Sequence, residues 1–207
     1  MAIDEALLHT TPLPVLRFYR WNGPSVSFGY FGQFEKARRC AASRTLVRRW
    51  TGGGIVFHGD DLTYSIVIPA SDLVFADTPM SIYEKVHCAL RDALVSLKLH
   101  AVLGRGDETG AVASARGYNG HCFANPVCAD VIVNGRKIAG AAQRRTRWGL
   151  LQQGSIQNVD HGKQLAQRFA RELSAIRNER SLTEHILKRA QKISEQKYAN
   201  QTWLRMR

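Results

Sequence analysis

The stretch Arg48-Arg49-Trp50-Thr51-Gly52-Gly53-Gly54-Ile55-Val56-Phe57-His58, followed by Asp61-Leu62-Thr63-Tyr64-Ser65-Ile66-Val67, decides how the chain is read. Two arginines enter a triple glycine from a short β-rich segment, and a strand of alternating character leaves it. Bare backbone is thereby brought beside fixed positive charge. Only glycine lets main chain lie against a thin ligand with no Cβ between them, and three in a row cost much chain entropy unless something needs that approach. A tight β-turn between two core strands is the plainer alternative. The pattern is neither G-x-G-x-x-G nor a phosphate loop with its Lys-Ser/Thr.

A second stretch runs His121-Cys122-Phe123-Ala124-Asn125-Pro126-Val127-Cys128-Ala129-Asp130-Val131-Ile132-Val133-Asn134-Gly135-Arg136-Lys137-Ile138-Ala139-Gly140. Asn134-Gly135 is the preferred pair for a two-residue type I′ hairpin turn. That turn sets Val133 opposite Arg136, Ile132 opposite Lys137 and Val131 opposite Ile138. Side chains alternate across a strand, so Lys137 shares a sheet face with Ile132, Asp130 and Cys128. A lysine and an aspartate on one face of otherwise apolar strands are the polar groups of a site or a buried ion pair; a solvated strand lysine is the ordinary alternative.

Toward the N-terminus, Ile3, Ala6 and Leu7 give an opening helix, and strands are expected over 15–21 and 25–29. A short helix is expected over 34–42, then strands over 45–50 and 63–68. Ser81-Ile82-Tyr83-Glu84 has the form of a capping box, and Ile82, Val86, Ala89, Leu90, Ala93, Leu94 and Leu97 follow at helical spacing, which predicts a helix over 81–99. Residues 101–120 hold five glycines and little periodicity. A loop of that length, just before Cys122, suggests a lid, with unstructured chain as the alternative. Strands over 129–133, 136–139 and 150–156 follow, and the remainder reads as helical. A second capping box, Ser181-Leu182-Thr183-Glu184, opens a basic helix with Ile186, Leu187, Ala190 and Ile193 inward. These elements make an α/β or α+β domain.

At 207 residues the chain is expected to be a single domain over 1–207, with no repeat, low-complexity tract or linker. No stretch approaches the roughly 20 apolar residues of a membrane span, and no basic-then-apolar leader opens the chain, so a cytoplasmic protein is expected. Cys40, Cys88, Cys122 and Cys128 lack zinc-ligand or CxxC spacing, and no metal site is expected. The formal charge of +12 calls for an acidic partner. Nucleic acid is disfavoured as that partner, because no zinc finger, KH loop or RRM signature is present and the basic residues are spread along the chain.

Taken together, the two stretches resemble the lipoate-protein ligase A/B and octanoyltransferase family, whose enzymes attach octanoyl or lipoyl groups to a lysine of a carrier protein. The resemblance extends from Met1-Ala2-Ile3-Asp4-Glu5-Ala6-Leu7-Leu8 through Pro24-Ser25-Val26-Ser27-Phe28-Gly29-Tyr30-Phe31 to Lys197-Tyr198 and Trp203. It implies a mixed, largely antiparallel β-sheet flanked by helices, like the catalytic domain of biotin ligases. It further implies that Cys122, in a Cys-Phe-x-x-Pro context with 14 residues between it and Lys137, is an acyl-enzyme nucleophile. Lys137 would lower its pKa, position the acyl carbonyl or accept the proton of the incoming amine. Cys128 remains a second candidate. Arg48, Arg49, Gly52, Gly53, Gly54 and His58 are implied as walls of an acyl channel and, in ligases, of a nucleotide site, with Asp130 and Gly140 also at the substrate. Burial at about 0.8 kcal/mol per CH₂ would select chain length without specific polar contacts.

The sequence departs from the family in three places. Gln153 stands where many relatives have a histidine, Met1 falls where relatives carry a preceding strand, and no accessory ligase domain follows at the C-terminus. The first expectation is therefore a transferase moving an octanoyl or lipoyl group from a carrier thioester, without a cofactor. Its donor would be acyl carrier protein or H protein, its acceptor a lipoyl domain of a 2-oxoacid dehydrogenase or H protein, and its state monomeric. An ATP- and Mg²⁺-dependent lipoate-protein ligase is the second, and a non-enzymatic basic binding protein on the same fold the third.

Overall fold

The computed structural model describes residues 1–105, 127–159 and 163–206. The chain opens with α1 (Ala2–Thr10), β1 (Val15–Tyr19) and β2 (Ser25–Phe28), then α2 (Phe34–Ala41), β3 (Thr45–Arg48), β4 (Val56–His58) and β5 (Leu62–Pro69). After a 3₁₀ turn come α3 (Pro79–Ser96), β6 (Ala101–Leu103), β7 (Val131–Val133), β8 (Arg136–Thr146) and β9 (Gly149–Ile156). Helices α4 (Lys163–Leu173), α5 (Glu184–Ile193) and α6 (Gln201–Arg205) follow, with a π turn at Ser194–Tyr198.

Six strands form one antiparallel sheet in the order β1-β5-β9-β8-β7-β6. Three more form a small sheet, β3-β2-β4, in which β2 is parallel to β3 and antiparallel to β4. The expected mixed, largely antiparallel sheet with flanking helices is therefore what the chain forms. The core follows from the alternation in β5. Leu62, Tyr64, Ile66 and Ile68 point to one face and meet the apolar stripe of α3, including Ile82, Val86 and Leu90, together with Leu165 and Phe169 of α4. Thr63 and Ser65 point to the other face, where α1 packs Leu7 and Leu8 on Val67 and Leu151.

Several local expectations change. The α3 N-cap is Thr78, whose hydroxyl accepts from the Ser81 N–H at 3.1 Å with Pro79 in the first turn; a Thr-Pro pair starts a helix better than a serine already inside it. Likewise Thr183 caps α5 rather than Ser181, and Leu187 is 47% exposed instead of inward. Residues 101–103 form the edge strand β6 against β7, shortening the expected loop. The rest of that loop and the suggested lid lie outside the described residues. In the hairpin, Val133 faces Arg136 and Ile132 faces Lys137, but Val131 pairs with Ala139 rather than Ile138. A bulge between Val131 and Ile132 takes up the extra residue, so both Ile138 and Ala139 enter the core. The triple glycine is no tight turn. It belongs to a crossing between β3 and β4, which lie on opposite sides of β2.

Candidate active site

Register places one line of residues across four strands on the face turned away from α3: Tyr19 beside Thr63, Thr63 beside Ser155, and Ser155 beside Gly140. A cavity of about 280 Å³ lies over this line. Its opposite wall is formed by Ser27 of β2, Val56 and His58 of β4, and Gly53 and Gly54 of the glycine loop. At that size it sits near the small end of ligand pockets, roughly 300–1,000 Å³.

At one end, the Lys137 ammonium stands 2.7 Å from Asp130 Oδ2, and both residues are buried. The Tyr83 hydroxyl donates to Asp130 Oδ1 at 2.5 Å, and the Val127 N–H donates to Oδ2 at 2.6 Å. Burial first, and then the Asp130 charge, push the Tyr83 phenol well above its ordinary range, so it stays a donor. A Cβ on Gly140 would lie 2.9 Å from Lys137 Nζ and 3.1 Å from Asp130 Oδ1. Glycine there leaves the space the ion pair occupies, which puts the ammonium at the Gly140 end of the line. A charge so held can stabilise an oxyanion or a thiolate beside it.

The two arginines divide their roles. Arg49 lines the cavity and donates to Ser27 Oγ at 2.7 Å and to the carbonyls of Gly52 and Gly54 at 3.0 and 2.8 Å, fixing the loop from inside. Arg48 does not line it. Its guanidinium, stacked on Phe28 at 4.5 Å, donates to the carbonyls of Tyr30, Gly32, Leu204 and Met206. The expectation of Arg48 as a cavity wall is thus corrected: it is a buried tie between the turn carrying Tyr30 and Gly32 and the C-terminal segment. Gly52 is outside the lining as well, and its carbonyl is held by Arg49. Gly53 has φ +86°, which favours glycine, and its carbonyl presses where a Cβ on Gly29 would be, 2.1 Å away.

His58 lines the cavity with both ring nitrogens engaged. Nδ1 faces Asp61 Oδ2 at 2.8 Å and Nε2 faces Ser27 Oγ at 2.6 Å, while the ring stacks on Trp21 at 4.1 Å. The Asp61 carboxylate only accepts, so Nδ1 donates to it, and the Ser27 hydroxyl holds the ring at Nε2. Asp61 also accepts from Ser155, Thr63 and the Gly59 N–H. Burial acts to raise its carboxyl, but the His58 bond and charge, with Ser155 and Gly59, hold it below the usual range. His58 therefore braces the wall, as an orienting histidine does.

Two buried networks were not singled out in the sequence. On the helix side, Gln152 donates to the Tyr64 hydroxyl, Tyr64 to His87 Nε2 at 2.9 Å, and His87 Nδ1 to the Ala129 carbonyl at 2.6 Å. Burial pushes His87 down to about 4, so it is neutral. This thread holds Ala129, at φ +64°, beside Asp130. On the cavity side, Asp4 of α1 accepts from Arg17 of β1 at 2.7 Å, Ser65 of β5 at 2.8 Å and Gln153 of β9 at 2.8 Å, joining three strands. The hydroxyls at alternate positions of β5 were the sequence signal for this face. The glutamine standing for the usual histidine is spent on Asp4 and on Thr51.

Of the expected site residues, Arg49, Gly53, Gly54 and His58 meet Asp130, Lys137 and Gly140 around one cavity. Cys122 lies outside the described residues. Cys128 is exposed and does not line the cavity.

An antiparallel sheet with a small second sheet and a glycine loop closed over one face defines a domain of the lipoate-ligase type. A T. acidophilum structure described as a putative lipoate protein ligase with bound lipoic acid is 22% identical, covers 99% of this chain and 91% of its own, and superposes with a TM-score of 0.75. A lipoate-protein ligase A bound with ATP is 23% identical over 99% and 92%, with a TM-score of 0.77. At those identities the likeness is one of fold. Residues 1–200 match the family described as the lipoyl protein ligase A/B catalytic domain, and the chain belongs to that family. Among curated relatives, "Octanoyltransferase LipM" of Oceanobacillus iheyensis is 39% identical over 75% of this chain and 58% of its own length. That of Staphylococcus aureus is 36% identical over 77% and 62%. The chain thus spans about three fifths of the length of such relatives.

Proposed function

We propose that the chain is an acyltransferase of protein lipoylation, which moves an octanoyl or lipoyl group from a carrier thioester through a Cys122 acyl-enzyme to a lysine of a lipoyl domain or H protein. The observation that carries this reading is the Lys137–Asp130 pair, an ammonium fixed at 2.7 Å at one end of a cavity walled by glycine backbone. Cys122 precedes Val127, another lining residue, by five positions. The Cys122 thiolate attacks the thioester carbonyl carbon, the carbon–sulfur bond to the carrier breaks, and the carrier leaves as a thiol after taking up a proton. The neutral amine of the acceptor lysine then attacks the new thioester. An amide forms, the bond to Cys122 breaks, and the amine proton returns to the thiol. Lys137 stabilises the oxyanion in both steps and favours the thiolate.

The octanoyltransferase names of the relatives support this route, and so does the use of the two arginines. A triphosphate needs uncommitted cationic donors, whereas Arg48 and Arg49 direct theirs to protein oxygens. The reaction needs neither cofactor nor metal. Among the described residues no helix is long and apolar enough to cross a membrane, in keeping with work in the reducing cytoplasm. Acidic carrier proteins would be steered to the +12 charge.

Mixing the protein with octanoyl-carrier protein and no acceptor tests the proposal. Intact-mass measurement should show one hydroxylamine-labile octanoyl adduct on Cys122, absent in Cys122→Ala and retained in Cys128→Ala. Acylation of a lipoyl domain by Cys122→Ala given octanoate, ATP and Mg²⁺ would replace the transferase with the adenylate-forming ligase.

A further inference from the structure

The cavity floor is polar, and nearly all of that polarity is already spent. Thr63 and Ser155 both donate to Asp61, and Gln153 donates to Asp4 and accepts from Thr51. The Tyr19 hydroxyl is the exception. Among the described residues it is the one buried side-chain oxygen or nitrogen with no hydrogen-bond partner, and Tyr19 lines the cavity. The Arg17 guanidinium covers its ring at 4.2 Å. A buried hydroxyl left unpaired gives up the hydrogen bonds it had with water and regains none, so it marks a place where a ligand atom completes the structure. Burial first, then the nearby Asp4 charge, hold the phenol well above its ordinary range, which keeps the proton on the oxygen and makes it available to donate.

Tyr19 ends the line of residues that begins at Gly140, where the Lys137 ammonium stands. Three strand spacings of about 4.8 Å separate those ends, roughly 14 Å. An extended eight-carbon chain, with C–C bonds of about 1.5 Å at about 111°, spans roughly 9 Å. The phenol ring and the hydrogen bond at the acyl carbonyl take up the balance. An acyl group whose carbonyl meets Lys137 therefore brings its distal carbons to the Tyr19 hydroxyl.

We infer that Tyr19 is a specificity-determining residue that selects acyl chains of about eight carbons carrying a hydrogen-bond acceptor near the distal end, in preference to a plain hydrocarbon tail. This rests on the acyl-cavity reading above. A dithiolane, with sulfur on the sixth and eighth carbons, is one such end group, and a terminal hydroxyl is a stronger acceptor of the same kind. A bare methyl leaves the tyrosine proton unpaired.

Equilibrium binding of three free acids, octanoate, 8-hydroxyoctanoate and lipoate, to the wild-type chain and to Tyr19→Phe decides the matter. Phenylalanine fills the same space, and losing an unpaired hydroxyl should leave thermal stability equal or higher. The substitution should weaken 8-hydroxyoctanoate about tenfold and lipoate about threefold, and leave octanoate unchanged or tighter. Equal weakening of all three, or of none, overturns the inference while leaving the acyl cavity intact. If none of the acids binds the wild-type chain, this inference falls; the acyl-cavity reading falls with it only if octanoyl-carrier protein also leaves no acyl adduct on the chain.

Discussion

On one face of β5, Leu62, Tyr64, Ile66 and Ile68 meet α3 and α4; on the other, Thr63 and Ser65 meet Asp61 and Asp4 across the cavity wall. Both faces are buried and both contain polar atoms, but they use them differently. Among the described residues the helix face carries the thread Gln152 to Tyr64 to His87, which ends on a backbone carbonyl with each of these members paired. The cavity face gathers carboxylates, an ammonium and hydroxyls around a void and leaves Tyr19 unpaired. A core closes its hydrogen-bond accounts; a site keeps one open for the ligand. Burial alone does not separate structural from functional polarity here; the state of pairing does.

The largest effect is expected at Lys137. Lys137→Ala should lower acyl transfer about a thousandfold, within the range for a positioned catalytic group. It also strands Asp130 as a buried charge, which destabilises the fold. Adding Asp130→Asn should restore stability and leave transfer low; recovery of transfer in the double variant would place Lys137 in the scaffold. Next comes the helix face. Leu90, fully buried in α3, should lose about 3 kcal/mol on Leu90→Ala, seen as a lower unfolding midpoint, with transfer per folded molecule near normal.

Asp4→Ala should cost about 2–3 kcal/mol, because it leaves Arg17, Ser65 and Gln153 without their shared acceptor. Burial acts to raise the Asp4 carboxyl, but the N-terminal ammonium, Arg17 and the Ser65 and Gln153 bonds outweigh it and hold it below 3.8. The unfolded chain therefore binds that proton first. Asp4's stabilising contribution is complete above pH 3.8 and is lost as pH falls below it through the folded value. Acid unfolding followed by circular dichroism should show the wild type losing its advantage over Asp4→Ala only in that range. An advantage that fades near neutral pH would remove Asp4 from the account. The smallest effect is expected at Gly140→Ala, whose new methyl meets the flexible end of Lys137 rather than backbone. Transfer should fall about tenfold as the ammonium is displaced, with the unfolding midpoint within a few degrees of wild type.

How far these faces were legible in sequence depended on the range of the signal. Alternation along 63–68 and helical spacing along α3 are local, and both gave their elements. The Asn134-Gly135 turn set the first two hairpin pairs and so brought Lys137 and Asp130 together. The bulge that shifts the third pair answers to core packing of Ile138 and Ala139, which no turn rule carries. Arg48 and Arg49 are adjacent and chemically identical, so nothing local separates them. Their roles are set by opposite pointing at the end of β3, one toward the tail and one into the loop. Asp4, Tyr19 and His87 were missed for a related reason. Each acts through partners brought near by register across the sheet, and a lone aspartate, tyrosine or histidine has no spacing by which to announce itself.

Arg48 also orders events in time. It fastens the loops at Tyr30 and Gly32 to the carbonyls of Leu204 and Met206, which lie 156 and 158 positions further along the chain. A polypeptide emerges from the ribosome N-terminus first, so Arg48 and the loops at Tyr30 and Gly32 are made long before the segment they are fastened to. Contacts at such separation close late. A nascent chain stalled short of Leu204 would hold the described residues of the cavity without this fastening, which would close only once Leu204 and Met206 had emerged.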